Sequence, residues 1–197
     1  MSYISTLLIV IWNFFGSIKI AVGAVVCEES TLKGYITIGS RTVVHPRASI
    51  IAEAGPIIIG EGNIIEEMAV IANRLPPDAP EGAPTSAMII GNYNVFEIDS
   101  NCEALKVGDN NILETKASVG REVELTTGCV IGAACSLTEP ETVAENTIIF
   151  GSQCQRREMN DKPYPQIGQL EFLMKVLPNF HHLRKPNMKI VKEPINT

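Results

Sequence analysis

The side chains here that could carry metal or nucleophilic chemistry are three histidines, His45, His181 and His182, and five cysteines, Cys27, Cys102, Cys129, Cys135 and Cys154. A zinc-bound hydroxide needs three protein ligands and one open position. Two of the three imidazoles are adjacent near the C-terminus and the third stands alone, so no such set is visible. Acyl transfer needs a histidine base beside the acceptor. His45 is the only candidate upstream of residue 181. It lies between an apolar Val44 and Pro46, which predicts an outward side chain, a surface or coil-stacking residue. Cys129 and Cys135 are six apart, which is not zinc-ligand spacing. An odd number of cysteines without a pairing pattern predicts reduced, buried or corner thiols, as in the cytosol. No Ser/His/Asp or Cys/His arrangement and no phosphate loop stands out.

The elements that position these residues are set by a repeat. An aliphatic residue returns every six positions: Ile20, Val26, Leu32, Ile38, Val44, Ile50. After a three-residue slip at Glu53–Pro56 the series continues at Ile59, Ile65 and Ile71, and after a longer break at Ile90, Phe96 and Cys102. One residue is dropped, and Val107, Leu113, Val119, Leu125, Ile131, Leu137, Val143 and Ile149 keep step. A helix needs a period near 3.6 and a flat strand a period of 2. A six fits a parallel β-helix, in which each short edge of a coil sends one equivalent residue inward. Glycine often follows the aliphatic, and the position four after it is small or turn-forming, as corners require. Three hexapeptides, roughly 18 residues, make one triangular coil, so the run holds about seven.

The chain divides into an apolar segment 1–17, the repeats 18–151 with an insertion at 72–87, a linker 152–165, a helix 166–178 and a basic tail 179–197. Residues 1–17 carry no charge. They lack a basic n-region and fall short of the roughly 20 residues of a membrane span, so an apolar cap or a dispensable start is expected rather than membrane insertion. The insertion contains Pro76, Pro77, Pro80 and Pro84 and reads as a loop projecting from a corner, a functional or an idle one. Leu170, Leu173, Met174 and Leu177 form one helical stripe, expected to pack back on the β-helix wall, with Pro178 ending the helix. The tail holds His181, His182, Arg184 and Lys185 and reads as solvated and partly disordered. Net charge is −6, which gives no support to nucleic-acid binding. A helix and tail leaving a solenoid end are free to meet a neighbour, which makes Phe172, Lys175, Phe180, His181 and His182 the candidate partner-binding residues.

Two enzyme families use hexapeptide β-helices, the γ-class carbonic anhydrases and the hexapeptide acyltransferases, and they form the alternative functional reading. The coil where the first would place paired histidines reads Ile90-Gly-Asn-Tyr-Asn-Val-Phe-Glu-Ile-Asp99, without an imidazole. Its early Arg-Gly-Asp triplet is replaced by Lys33-Gly34-Tyr35.

A closer match is to the dynactin subunit 6 family. The stretches Ile18-Lys-Ile-Ala-Val-Gly-Ala-Val-Val-Cys27, Ile38-Gly-Ser-Arg-Thr-Val-Val-His-Pro46 and Gly60-Glu-Gly-Asn-Ile-Ile-Glu-Glu67 resemble it. So does Leu170-Glu-Phe-Leu-Met-Lys-Val-Leu-Pro-Asn-Phe-His-His182, which no generic hexapeptide repeat requires. The resemblance covers roughly Ile18 to Leu183 and departs in residues 1–17, in the insertion and after Arg184. It implies a left-handed parallel β-helix, a hand that general crossover statistics would not favour. It implies a non-enzymatic structural subunit at the pointed end of dynactin, without metal or cofactor. The implied partners are dynactin subunit 5 (a sister β-helix), dynactin subunit 4, the pointed-end actin-related protein and dynein cargo adaptors. The implied location is the cytoplasmic cytoskeleton, and the kinetochore in mitosis.

Overall fold

The structure is a computed structural model describing residues 17–76, 78–80, 82–161 and 163–186; segment 1–16 and the tail beyond 186 lie outside the described residues. Coil one holds β1 (Ile18–Ile20), β2 (Val25–Val26) and the first half of β3 (Thr31–Ile38). The second half of β3, β4 (Val43–Val44) and the start of β5 (Ser49–Ile59) form coil two. Coil three is the rest of β5, β6 (Ile64–Ile65) and β7 (Val70–Asn73); coil four is β8 (Met88–Ile90), β9 (Val95–Phe96) and β10 (Asn101–Cys102). Coil five is β11 (Lys106–Val107), β12 (Ile112–Leu113) and β13 (Ser118–Val119). Coil six is β14 (Val123–Leu125), β15 (Val130–Ile131) and β16 (Ser136–Leu137), and β17 (Glu141–Val143) and β18 (Thr147–Phe150) begin the last. The strands pair in parallel between coils: Ile18 with Ile36, Val25 with Val43, Ile112 with Val130. All the six-spaced aliphatics meet in one core. The slip appears as Val43 pairing Ile64, the long insertion as Ile57 pairing Met88, and the dropped residue as Ile89 pairing Lys106.

Two of the three corners turn through left-handed residues three places after the inward aliphatic, among them Arg41, Arg47, Met68, Tyr93, Asp99, Asn110 and Lys116. Such backbone costs about 1 kcal/mol each in a residue with a Cβ. Buried polar side chains stacked beneath one corner row offset it. Asn63 N–H donates to Thr42 Oγ1 at 3.2 Å, and Asn94 donates to Asn63 Oδ1 from its backbone N–H (2.9 Å) and its Nδ2 (3.0 Å). Asn111 does the same to Asn94 Oδ1 at 2.8 and 3.1 Å, and Cys129 N–H closes the series on Asn111 Oδ1 at 2.7 Å. Gly34 (φ +90) lies at a register shift in β3, where a Cβ would stand 2.1 Å from Ala52 O, so no other residue fits that approach.

The insertion between β7 and β8 is tied at its base. Asn73 Nδ2 donates to Ser86 O at 2.7 Å, and Arg121 Nη1 donates to Asn73 Oδ1 and Arg74 O, both at 2.9 Å. Beyond that base it forms two successive turns, Ala79 N to Pro76 O and Ala83 N to Pro80 O.

The last third differs from expectation in three respects. Segment 152–165 is not only an extended linker: β19 (Gln155–Glu158) turns back antiparallel on β18, through Gly151 (φ +74) and Cys154 (φ +47). Helix α1 spans Ile167–Phe180 and passes through Pro178. The proline removes one donor, so the Met174 carbonyl loses its helical partner. Asn179 Nδ2 donates to the next carbonyl, Lys175 O, and the helix closes with His181 N–H on Leu177 O at 2.9 Å. Residues 181–184 of the tail are bound to the first coil, as described next.

Candidate partner interface

On one face the outward position next to the core residue is aliphatic coil after coil: Val25, Val43, Ile64 and Val95. Alone, this face would leave a broad apolar strip in water. Helix α1 covers it with Leu170 and Leu177, flanked by Leu173 and Met174, in a second apolar cluster. The stripe therefore packs on the wall as its spacing predicts. Polar contacts fix its position: Gln169 Nε2 donates to Glu66 Oε1 at 3.0 Å, and Arg41 lies 3.8 Å from Glu171. Burial pushes the Glu66 carboxyl up, while the Gln169 hydrogen bond pulls it the other way.

After α1 the chain clasps the open edge of coil one. Leu183 forms an antiparallel bridge with Cys27. Glu28 N–H donates to His182 O and Arg184 N–H to Val26 O, both at 2.8 Å. The Arg184 Nη2 donates to Glu28 O and Ser30 O at 2.8 and 2.7 Å. An exposed strand edge is a liability. Here the tail closes one end of this sheet and β19 the other. The clasp holds residues 181–184 where composition alone predicts a solvated chain.

His181 Nδ1 lies 3.0 Å from Glu29 Oε1. The His181 contact, then backbone hydrogen bonding, holds the Glu29 carboxyl below its ordinary 4.5. A carboxyl lowered in the folded state contributes fully above its unfolded value, and that contribution is lost as pH falls through the lowered one. The backbone amide shifts of Leu183 and Arg184 should therefore report a clasp intact at neutral pH that loosens only in the acid range. Glu29→Gln should remove that acid transition, as NMR titration of both proteins would show.

Of the surface and coil-stacking places open to an outward His45, the structure gives it the second. It is buried, and its Nδ1 stands 3.0 Å from Glu67 Oε1, off the line of a good hydrogen bond, so the contact is mainly electrostatic. Burial raises the Glu67 carboxyl, but the His45 contact, its own backbone and the His45 and Arg47 charges outweigh it, and the net shift is downward. The residue after Val44 turns outward, but the corner of the next coil covers it. Nothing gathers around it: among the described residues no three His, Cys, Asp or Glu side chains could hold a metal ion. Its neighbour Cys27 is a poor nucleophile, its thiol pushed up to about 11 by burial and then by Glu29 and Glu67.

Of the candidate partner residues, Phe172 (62 % exposed) and Phe180 (77 %) stand in solvent, as does Lys175. His181 and His182 are engaged by coil one, the first through its ring and the second through its carbonyl. Phe172, Lys175 and Phe180 are thus exposed on α1, whereas the His181 ring faces coil one and the His182 side chain stays exposed while its carbonyl is bound. Elsewhere, Ile58 and Ile89 form an exposed cross-coil pair on the face carrying β8.

The fold defines a hexapeptide-repeat, left-handed parallel β-helix closed by a C-terminal helix. A hexapeptide transferase family protein from Anaplasma phagocytophilum has the same fold, with TM-score 0.63, 16 % identity, and 83 % of this chain and 89 % of that one covered. No family model matches the sequence. The sequence is 57 % identical to dynactin subunit 6 of Danio rerio over 173 residues, 86 % of this chain and 88 % of the relative. It is 57 % identical to that of Xenopus tropicalis, over 90 % of each chain, and 37 % identical to that of Dictyostelium discoideum, over 82 % and 85 %. The chain belongs to the dynactin subunit 6 family.

Proposed function

We propose that this chain is a structural and adaptor subunit of the pointed-end complex of dynactin, without catalytic activity of its own. Its family membership supports the assignment to dynactin. The observation that carries the docking role is α1, sealed to the wall by Leu170 and Leu177 yet presenting Phe172, Lys175 and Phe180 to solvent. Exposed aromatics on a rigid support lose little entropy on binding and make effective anchors. The proposed occupant of this surface is the sister β-helix, dynactin subunit 5. Dynactin subunit 4, the pointed-end actin-related protein and cargo adaptors are proposed as neighbours in the assembly. In cells the chain would serve dynein-driven transport from the cytoplasmic cytoskeleton and kinetochore attachment in mitosis. No helix among the described residues is long and apolar enough to cross a membrane.

The test is mass by light scattering with and without dynactin subunit 5, with metal content measured on the same samples. A metal-free one-to-one complex supports the reading. The double variant Phe172→Ala/Phe180→Ala should weaken that complex at least about tenfold, the equivalent of roughly 1.4 kcal/mol, while the monomer stays folded. A stable homotrimer with about one zinc per chain would replace this reading with an enzyme of the carbonic-anhydrase type.

A further inference from the structure

At the end of the solenoid remote from the clasp, two thiols from different coils converge. Cys135 precedes β16 and is buried, while Cys154 lies in the turn from β18 to β19 and is partly exposed. Each thiol reaches into the other's segment. Cys135 Sγ is 3.5 Å from Gly151 O and 3.9 Å from Ile149 O, and Cys154 Sγ is 3.9 Å from Ser136 O. Cys154 holds its place through left-handed backbone, φ +47, with its side chain against the core. An L-residue rarely adopts that conformation without surrounding support. Cys27, Cys102 and Cys129 are buried elsewhere in the fold. The proposed docking surface uses neither member of the pair.

We propose that Cys135 and Cys154 form a redox-modification site that closes to an intrachain disulfide when the protein meets a peroxide. The exposed thiol acts first. The Cys154 thiolate attacks one oxygen of hydrogen peroxide and the O–O bond breaks, leaving a sulfenic acid and, after protonation, one water. Cys135 sulfur then attacks the Cys154 sulfur; the S–S bond forms, the S–O bond breaks, and the hydroxyl leaves with the Cys135 proton as the second water. Two thiols lose two electrons and two protons, and one peroxide becomes two waters. The order follows from environment. Burial, reinforced by Cys154 and Glu114, pushes the Cys135 thiol up to about 11, so it gives up its proton only as the new bond forms. The product would staple the β18–β19 hairpin, which covers the last sheet edge, to coil six.

The experiment uses the full chain. It is treated with hydrogen peroxide, alkylated in denaturant, and read by intact mass and peptide mapping. The expected result is that alkylatable thiols fall from five to three, with one peptide pair joining positions 135 and 154. The oxidised protein should melt roughly 5 °C above the reduced one. Cys154→Ser, a change at a partly exposed site that leaves the core intact, should keep all its remaining thiols through the same treatment. Cys154 advancing to sulfinic acid while Cys135 is still alkylated would overturn the proposal, as would a disulfide joining Cys154 to any other thiol.

Discussion

Replacing Asn94 with leucine should lower the unfolding free energy by about 3 kcal/mol, although the two side chains are nearly the same size. Asn94 is fully buried. Its Oδ1 accepts from both Asn111 N–H and Asn111 Nδ2, and its Nδ2 donates to Asn63 Oδ1. Leucine fills the space but leaves the Asn111 backbone N–H facing hydrocarbon. That orphaned donor costs about 1–3 kcal/mol, and each lost bond about 1 more. The control is Asn92→Ala. Asn92 sits in a comparable stack, with Glu61 N–H on its Oδ1 at 2.8 Å and its Nδ2 3.2 Å from Asp109, but it is only half-buried. Water replaces those partners, so its cost should stay near 1 kcal/mol. Urea unfolding distinguishes the two: the midpoint should fall much further for Asn94→Leu, with an unchanged slope. Equal losses would mean that hydrogen-bond number, rather than burial, sets the value of this stack.

The same physics explains what was legible in the sequence. A solenoid interior admits one aliphatic per edge, so the six-residue period had to appear. The slip, the insertion and the dropped residue could be located because the six-residue period resumes after each one. Contacts between remote parts left weaker marks. The clasp joins Leu183 to Cys27, and nothing local in either segment specifies the other. His45 is buried by Glu67 of the next coil, whose position depends on the slip between them. One signal was available and went unused. On the helix-covered face the aliphatics come in pairs, Val25-Val26, Val43-Val44, Ile64-Ile65, Val95-Phe96, Ile112-Leu113, Val130-Ile131 and Ile148-Ile149. The neighbouring face mostly places polar residues at the outward position, such as Lys19, Thr37, Lys106 and Glu124. Pairing at every third hexapeptide marks the wall that the Leu170 stripe must cover. Among the candidate contacts, the exposure of Phe172 and Phe180 was legible because they fall off that stripe. The roles of His181 and His182 were not, because these depend on coil one.

The covered wall yields the second large effect. Leu170→Asp should detach α1 from the solenoid, at a cost of about 4 kcal/mol. Leu170 is 1 % exposed and packs among Val25, Cys27, Val43, Ile64 and Val95. A carboxylate there has no partner, and its desolvation outweighs what Leu177 can still bury. The loss should remain local, because the wall cluster is distinct from the interior cluster that holds the coils together. Hydrogen exchange should show α1 and the Leu183 and Arg184 amides losing protection while strands such as β12 and β15 keep theirs. The bared row of Val25, Val43, Ile64 and Val95 is then a contiguous apolar strip, so the variant should self-associate at concentrations where the parent does not. Phe172→Asp, on the opposite side of the same helix, should change stability by less than about 0.5 kcal/mol and yet weaken binding to dynactin subunit 5. If Leu170→Asp unfolded the coils together with the helix, wall and interior would be one cooperative unit. The helix would then be part of what folds the solenoid, as well as the surface proposed to dock its partner.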